Sequence, residues 1–240
     1  MKIIVLTGNQ IRHKYYANFL SEKLEVIGLI TEPHADYFKL QRDSSPLVKH
    51  HSKNLKQYEQ GYFGQYDSYP SCEHLKIDAS RINDDEYIEW AKSLNPDYIL
   101  LYGTEILNNK WCNTFENKII NLHLGASPTY RGSATLFWPF YNDDLDNLGT
   151  TAHLATTEVD GGKILKVIKN KISYNDNYYD ITSKLIKKSM HEIPNILKKY
   201  DSGKIIPAIQ NKSNQKFYYR KKDFTEECLR IVMEKYYYEK

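Results

Sequence analysis

The sequence predicts an α/β domain: a mostly parallel sheet with helices on both faces. Three observations predict it. The chain opens β-α-β, with apolar runs at residues 2–7 and 24–31 flanking a helical pattern through Tyr15, Phe19 and Leu20. Two later runs, 97–102 (DYILLY) and 118–122 (KIINL), are of the continuous apolar type that a strand buried on both faces requires. The 240 residues, 41% hydrophobic, suffice for one domain with a sizeable core.

Each element follows from its local signals. Gly8-Asn9 ends the first strand. Residues 32–73 form a polar excursion whose one regular stretch is a helix over 46–62. A strand is expected over 75–79, and Asn83-Asp84-Asp85 caps a helix through Ile88, Trp90, Ala91 and Leu94. Strands over 150–156 and 164–172 are joined by a loop containing Gly161-Gly162. A helix over 177–199 should kink or break at Pro194. An aromatic run at 216–220 and a helix over 223–235 close the chain. The expected division is 1–210 for the main domain and 211–240 for a short C-terminal extension of strand and helix.

Composition excludes several classes. Mean hydropathy is −0.64, and no apolar run nears the ~18 residues that span a bilayer, so no membrane partner is expected. The N-terminus lacks a small-residue cleavage site and reads as a first strand. Three scattered cysteines, Cys72, Cys112 and Cys228, lack metal spacing and suit a reduced, cytoplasmic protein. Charge is uneven: up to Asp160 there are 15 basic and 21 acidic residues, and from Gly161 on 18 and 9. The basic part either solvates lysine-rich helices or attracts an anion such as a nucleotide, a folate tail or RNA. No RNA-binding signature accompanies it, so nucleic acid is not an expected partner.

In open α/β sheets ligands sit beyond the carboxyl ends of the strands. The loop after the 118–122 strand is densest in chemistry: Asn121-Leu122-His123-Leu124-Gly125-Ala126-Ser127-Pro128, then Tyr130-Arg131-Gly132. In extended chain, Asn121 and His123 project to one side. They offer an amide N–H donor and a nitrogen that titrates near neutrality. Such a pair can hold a developing oxyanion and move a proton. Asp160, ahead of two glycines, could present a carboxylate to them. Taken singly, a histidine is usually a satisfied polar group and Asp-Gly-Gly a turn. Together they make a candidate site but name no reaction.

Asn121-Leu122-His123, the Ser127-Pro128-Thr129-Tyr130-Arg131-Gly132 loop and Asp160-Gly161-Gly162 ahead of Ile164-Leu165 resemble the folate-dependent formyltransferases. These include glycinamide ribonucleotide transformylase, methionyl-tRNA formyltransferase and the sugar N-formyltransferases. The separation of 37 residues between His123 and Asp160 is similar to that family's. Pro96-Asp97-Tyr98-Ile99 with Gly103 and Ile106-Leu107 resembles its pterin-holding strand and loop, and Pro207-Ala208-Ile209-Gln210 its core-closing segment. The resemblance covers residues 96–210 well and 32–73 weakly. Leu124 stands where many relatives have Pro after the histidine.

The resemblance implies a Rossmann-like formyltransferase fold and transfer of a formyl group from N10-formyltetrahydrofolate to a primary amine. Asn121, His123 and Asp160 would be catalytic: Asn121 donating to the oxygen that gains charge, His123 donating to it or accepting the amine's proton, Asp160 supporting the imidazole. Gly103, Thr104, Ile106, Leu107, Val159 and Gly161 would contact folate; Arg12, Ser127, Tyr130, Arg131 and Gly132 are candidates for the acceptor side. Neither a metal nor a covalent enzyme intermediate is implied.

The acceptor is narrowed by elimination. About thirty residues follow Gln210, too few for the C-terminal barrel of the tRNA enzymes. Thr7-Gly8-Asn9-Gln10-Ile11-Arg12-His13 has one glycine where glycinamide ribonucleotide enzymes carry a glycine-rich phosphate loop. The sugar branch is left: the amine of a nucleotide-linked amino deoxysugar, a precursor of lipopolysaccharide O-antigen or another cell-surface glycan. Phe217-Tyr218-Tyr219-Arg220-Lys221-Lys222 either stacks a base and neutralises a diphosphate, or forms an edge strand packed on the core or a dimer interface with its basic residues solvated. Tyr236-Tyr237-Tyr238 either marks a homodimer contact or packs on its own domain. Two alternatives stay open: formylation of glycinamide ribonucleotide or another amine, and a catalytically idle ligand-binding protein. Hydrolysis of formyltetrahydrofolate would use the same triad, but its relatives carry an N-terminal regulatory domain not expected here.

Overall fold

The computed structural model describes residues 1–33 and 45–238. Part of the 32–73 excursion, residues 34–44, lies outside them. The opening unit is β1 (Lys2–Gly8), α1 (Ile11–Ser21) and β2 (Glu25–Glu32), followed by α2 (Pro46–Phe63), β3 (Glu73–Lys76), α3 (Asp85–Ser93), β4 (Tyr98–Tyr102), α4 (Asn109–Thr114) and β5 (Ile119–His123). Then come β6 (Tyr130–Gly132), α5 (Trp138–Tyr141), β7 (Thr150–Leu154), β8 (Ile164–Ile168), α6 (Tyr178–Asp201), β9 (Phe217–Tyr219) and α7 (Glu226–Met233), which runs into a π-helical turn, Glu234–Tyr238.

Seven strands form one sheet in the order β3-β2-β1-β4-β5-β7-β8. The first five run parallel, and β7 and β8 add antiparallel. The alternation along β1 explains the layers. Ile3 and Val5 face a core shared with α1, α2, α6 and α7, while Ile4 and Leu6 face one shared with α3 and α4. The chain leaves β1 toward β2 and β3 and then returns to β1's other side as β4. Order reverses there, which opens a crevice at the carboxyl ends of β1 and β4.

Local chemistry fixes the helix starts. Ser45 Oγ accepts the Val48 N–H at 3.2 Å with Pro46 in the first turn of α2. Asn177 Oδ1 accepts from Tyr179 N at 2.9 Å and Asp180 N at 3.1 Å, opening α6. Pro194 does not break α6. Proline's missing N–H and ring clash disfavour a helix interior, but Ile193, Pro194, Ile196 and Leu197 are all buried, and that packing carries the helix through. The third strand lies earlier than the 75–79 expected, because its ladder with Gly28–Thr31 of β2 starts at Glu73. β7 and β8 are shorter than expected, and α4, β6 and α5 carry no clear sequence signal.

The helix within the excursion is fastened to α6 by side chains: Asn177 Nδ2 donates to Tyr58 Oη at 2.7 Å and Tyr62 Oη to Asp180 at 2.8 Å. The terminal tyrosines pack on their own chain, Tyr236 against Phe140 and Tyr237 against Tyr179. Among the described residues no helix is long and apolar enough to cross a membrane. Asn177 thus both caps α6 and holds α2. Asn177→Ala should lower stability to urea by about 1–2 kcal/mol, and Asn177→Asp, whose carboxylate can accept both the cap N–H groups and the Tyr58 hydroxyl, should recover most of that loss. Equal stability of Asn177→Ala and the unaltered protein would refute this role.

Candidate active site

A cavity of about 1070 Å³ occupies the carboxyl ends of β1, β4 and β5. β5 brings Asn121 and His123 to its wall, two residues apart and on one side, as extended chain requires. Asp160 meets them from the loop between β7 and β8. His123 Nδ1 lies 3.1 Å from Asp160 Oδ1, and His123 Nε2 donates to the Tyr130 carbonyl at 3.1 Å. Both imidazole nitrogens therefore face acceptors, the pattern of an imidazolium.

The electrostatics agree. Burial opposes charge on His123, but the Asp160 carboxylate, its hydrogen bond and the Tyr130 carbonyl raise the imidazole above its ordinary 6.5, with Arg131 acting against them. Burial would likewise push Asp160 up. The charge and hydrogen bond of His123 outweigh that and hold the carboxyl well below the usual carboxylate range.

Asp160 sits in the left-handed region, at φ 49°, which an aspartate tolerates better than most residues. Its neighbours impose that conformation. Gln210 Nε2 donates to the carbonyls of Asp160 and Gly162, at 2.7 and 2.6 Å. Arg131 Nε donates to the Val159 carbonyl at 3.0 Å, and its guanidinium also reaches Glu158 and Gln215. The Gly132 N–H donates to Asp160 Oδ2 at 3.1 Å. Two glycines make room: a Cβ on Gly162 would run into the Leu154 carbonyl, and one on Gly132, at φ 95°, into the Tyr219 carbonyl.

The sequence candidates divide by position. Asn121, His123, Asp160, Gly103, Thr104, Ile106, Leu107, Val159, Arg12 and Gly132 all line the cavity. Leu107 and Val159, with Leu101, Ala155 and the half-exposed Ile106, give it an apolar wall suited to a flat ring such as a pterin. Ser127, Tyr130, Arg131 and Gly161 lie off the wall. Ser127 is buried against β7, its N–H on Thr151 Oγ1 at 2.9 Å. Tyr130 stacks on Phe217 and donates to Asp144 at 3.0 Å. The Arg131 side chain is 6% exposed and spent on the Asp160 loop. The Gly161 N–H closes a turn on the Glu158 carbonyl. Arg12 faces the cavity in an ion pair with Glu59 of α2. In the aromatic run, Phe217 and Tyr219 pack on Tyr130 and Trp138, while Tyr218, Tyr219, Arg220 and Lys221 line the cavity.

Sequence reasoning missed His153. Strand β7 pairs antiparallel with β5 and sets His153 opposite Asn121. His153 Nδ1 donates to the Leu154 carbonyl at 2.9 Å, and its Nε2 accepts from Asn121 Nδ2 at 3.1 Å, 3.7 Å from Asp160 Oδ1. The only signal was a polar residue inside an apolar strand; its partner depends on a pairing that periodicity does not reveal. Glu59 was missed for the same reason.

The formyl transferase family profile matches residues 1–197. Among curated relatives, a methionyl-tRNA formyltransferase of Finegoldia magna is 30% identical over 112 residues, 46% of this chain and 36% of its own. A phosphoribosylglycinamide formyltransferase of Haemophilus influenzae is 30% identical over 123 residues, 51% of this chain and 58% of its own. The matched stretches thus span about a third to just over half of those relatives. A sugar N-formyltransferase from a Shewanella species shares the fold, with a TM-score of 0.62 at 13% identity over 97% of this chain and 86% of its own.

The His123–Asp160 pair gives stability a signed pH dependence. His123 holds its proton more tightly folded than unfolded, so its contribution is full below 6.5 and fades as pH rises through the raised value. Asp160 holds its proton less tightly when folded, so its contribution is present above 3.8 and lost in stronger acid. The urea midpoint should therefore fall between about pH 6 and pH 9, and Asp160→Asn should abolish that fall. An equal fall in Asp160→Asn would assign it to other groups.

Proposed function

Because the chain belongs to the formyl transferase family, we propose that it is an N-formyltransferase that uses N10-formyltetrahydrofolate to formylate the amine of a nucleotide-linked amino deoxysugar. One observation carries the activity: Asn121, His123 and Asp160 converge on a cavity at the carboxyl ends of the sheet. The sugar acceptor is supported by the cavity's size and by Arg12, Lys56, Arg220 and Lys221 on its wall, suited to a diphosphate. With that acceptor goes a cytoplasmic place early in glycan assembly, O-antigen among the candidates; the three cysteines are unpaired thiols.

When bound, the folate supplies the formyl group. Asn121 spends one amide N–H on His153 and has a second for the formyl oxygen as charge builds there. His123 adds its positive charge beside Asn121, where a preorganised charge is worth most. Asp160 keeps the imidazolium charged. Net transfer moves one proton from the attacking amine to the departing folate nitrogen; with both its nitrogens engaged, the His123 imidazolium contributes its charge beside Asn121 and does not itself take up that proton.

The test follows tetrahydrofolate release with purified protein and separate acceptors: dTDP-, UDP- and GDP-linked 3-amino and 4-amino dideoxysugars, glycinamide ribonucleotide, and none. Release should depend on an amino sugar. His123→Ala and Asn121→Ala should each cut turnover by about 10²–10⁴-fold while folding normally by circular dichroism. Near-normal rates in either would refute the mechanism, and release with glycinamide ribonucleotide alone would move the acceptor to purine synthesis.

A further inference from the structure

One buried acid on the cavity wall has no task in this chemistry. Glu32, the last residue of β2, is 1% exposed. Its Oε1 accepts the Glu105 N–H at 2.5 Å, which ties the end of β2 to the loop after β4. Its Oε2 is buried and meets no hydrogen-bond partner among the described residues, although Glu32 lines the cavity. A buried acceptor left unfilled is costly. Burial pushes this carboxyl up against the opposing effect of the Glu105 N–H, which a ligand's donors would relieve.

The strand register says what reaches it. Glu32 pairs with Gly8, Thr7 with Tyr102, and Leu101 with Asn121. Glu32, Gly8, Gly103 and His123 therefore form one row across β2, β1, β4 and β5. Three strand spacings place the ends of that row about 14 Å apart. Between them lies the start of α1, with Arg12 on the cavity wall. An amino sugar and a diphosphate in extended chain cover such a span: amine at His123, phosphates over α1, nucleoside at β2. In β-α-β nucleotide sites, an acid at the end of the second strand accepts from ribose hydroxyls while phosphates sit at the first helix's N-terminus.

Resting on the sugar-nucleotide reading, we propose that Glu32 Oε2 accepts hydrogen bonds from the vicinal ribose hydroxyls of the acceptor's nucleoside. The acceptor is then a ribonucleoside diphosphate sugar, of the UDP or GDP kind, and a 2′-deoxyribonucleotide sugar of the dTDP kind is disfavoured.

Calorimetric titration with UDP, GDP, dUDP and dGDP tests this without turnover, with 5-formyltetrahydrofolate titrated in parallel. At least one ribonucleotide should bind tenfold or more tighter than its 2′-deoxy counterpart. Glu32→Gln should shrink that ratio below about threefold and leave 5-formyltetrahydrofolate affinity unchanged, which also reports that the variant is folded. Equal affinities in the unaltered protein, no binding of any of the four nucleotides, or a ratio that survives Glu32→Gln would overturn the proposal. So would weakened folate binding in Glu32→Gln, since it would put the carboxylate on the folate. Failure of the unaltered protein to bind 5-formyltetrahydrofolate would instead sink the formyltransferase reading, whatever the nucleotides do.

Discussion

A buried ion pair, His123 with Asp160, is the constraint around which the site is arranged. Charges removed from water are costly unless paired and hydrogen-bonded, and this pair is met from several sides. The Tyr130 carbonyl takes the second imidazole N–H, the Gly132 N–H takes the second carboxylate oxygen, and His153 stands by the first. Tyr130 and Gly132 are the two ends of β6, which pairs with β9 in a separate two-stranded parallel sheet. The C-terminal segment is therefore joined to the His123–Asp160 pair through backbone hydrogen bonds. Loosening β9 would disturb His123 without touching it.

The same pair explains an apparent excess of polar machinery around one loop. Asp160 must hold a left-handed backbone and present its carboxylate inward. Arg131 and Gln210 grip the carbonyls on either side of it, and Gly162 lets β7 approach. None of these residues needs to touch a substrate to matter for the reaction. Their work is to supply a rigid surround, without which an oxyanion site loses most of its electrostatic advantage.

How much of this was legible follows from what each signal depends on. The opening β-α-β unit, the buried strands and the pairing of Asn121 with His123 rest on periodicity, which is local, and they appear in the structure nearly as expected. Pro194 does not interrupt α6, because its helical penalty is local while the packing that carries the helix through is not. His153, Glu59 and Glu32 were missed because their meaning lies in register: β5 against β7, α1 against α2, β2 against the β4 loop. The aromatic-basic run of the tail divides between packing and the cavity wall. Alternation along β9 gives Phe217 and Tyr219 to packing and exposes Tyr218, while Arg220 and Lys221 follow onto the cavity wall.

Arginine shows why residue type alone could not divide the site. Arg131 and Arg12 were both candidates for the acceptor side, and the guanidinium fork suits either a phosphate or a set of carbonyls. Burial separates them. Arg131 has almost no exposed surface and its donors end on Val159, Glu158 and Gln215, so its charge is spent inside the protein. Arg12 is balanced by Glu59 yet keeps a place on the cavity wall, where an incoming diphosphate would compete with that carboxylate. On the proposed reading, such competition would make α2, which carries Glu59, a contributor to acceptor choice. An anionic acceptor must offer Arg12 more than Glu59 does, and a neutral amine would have no reason to open the pair.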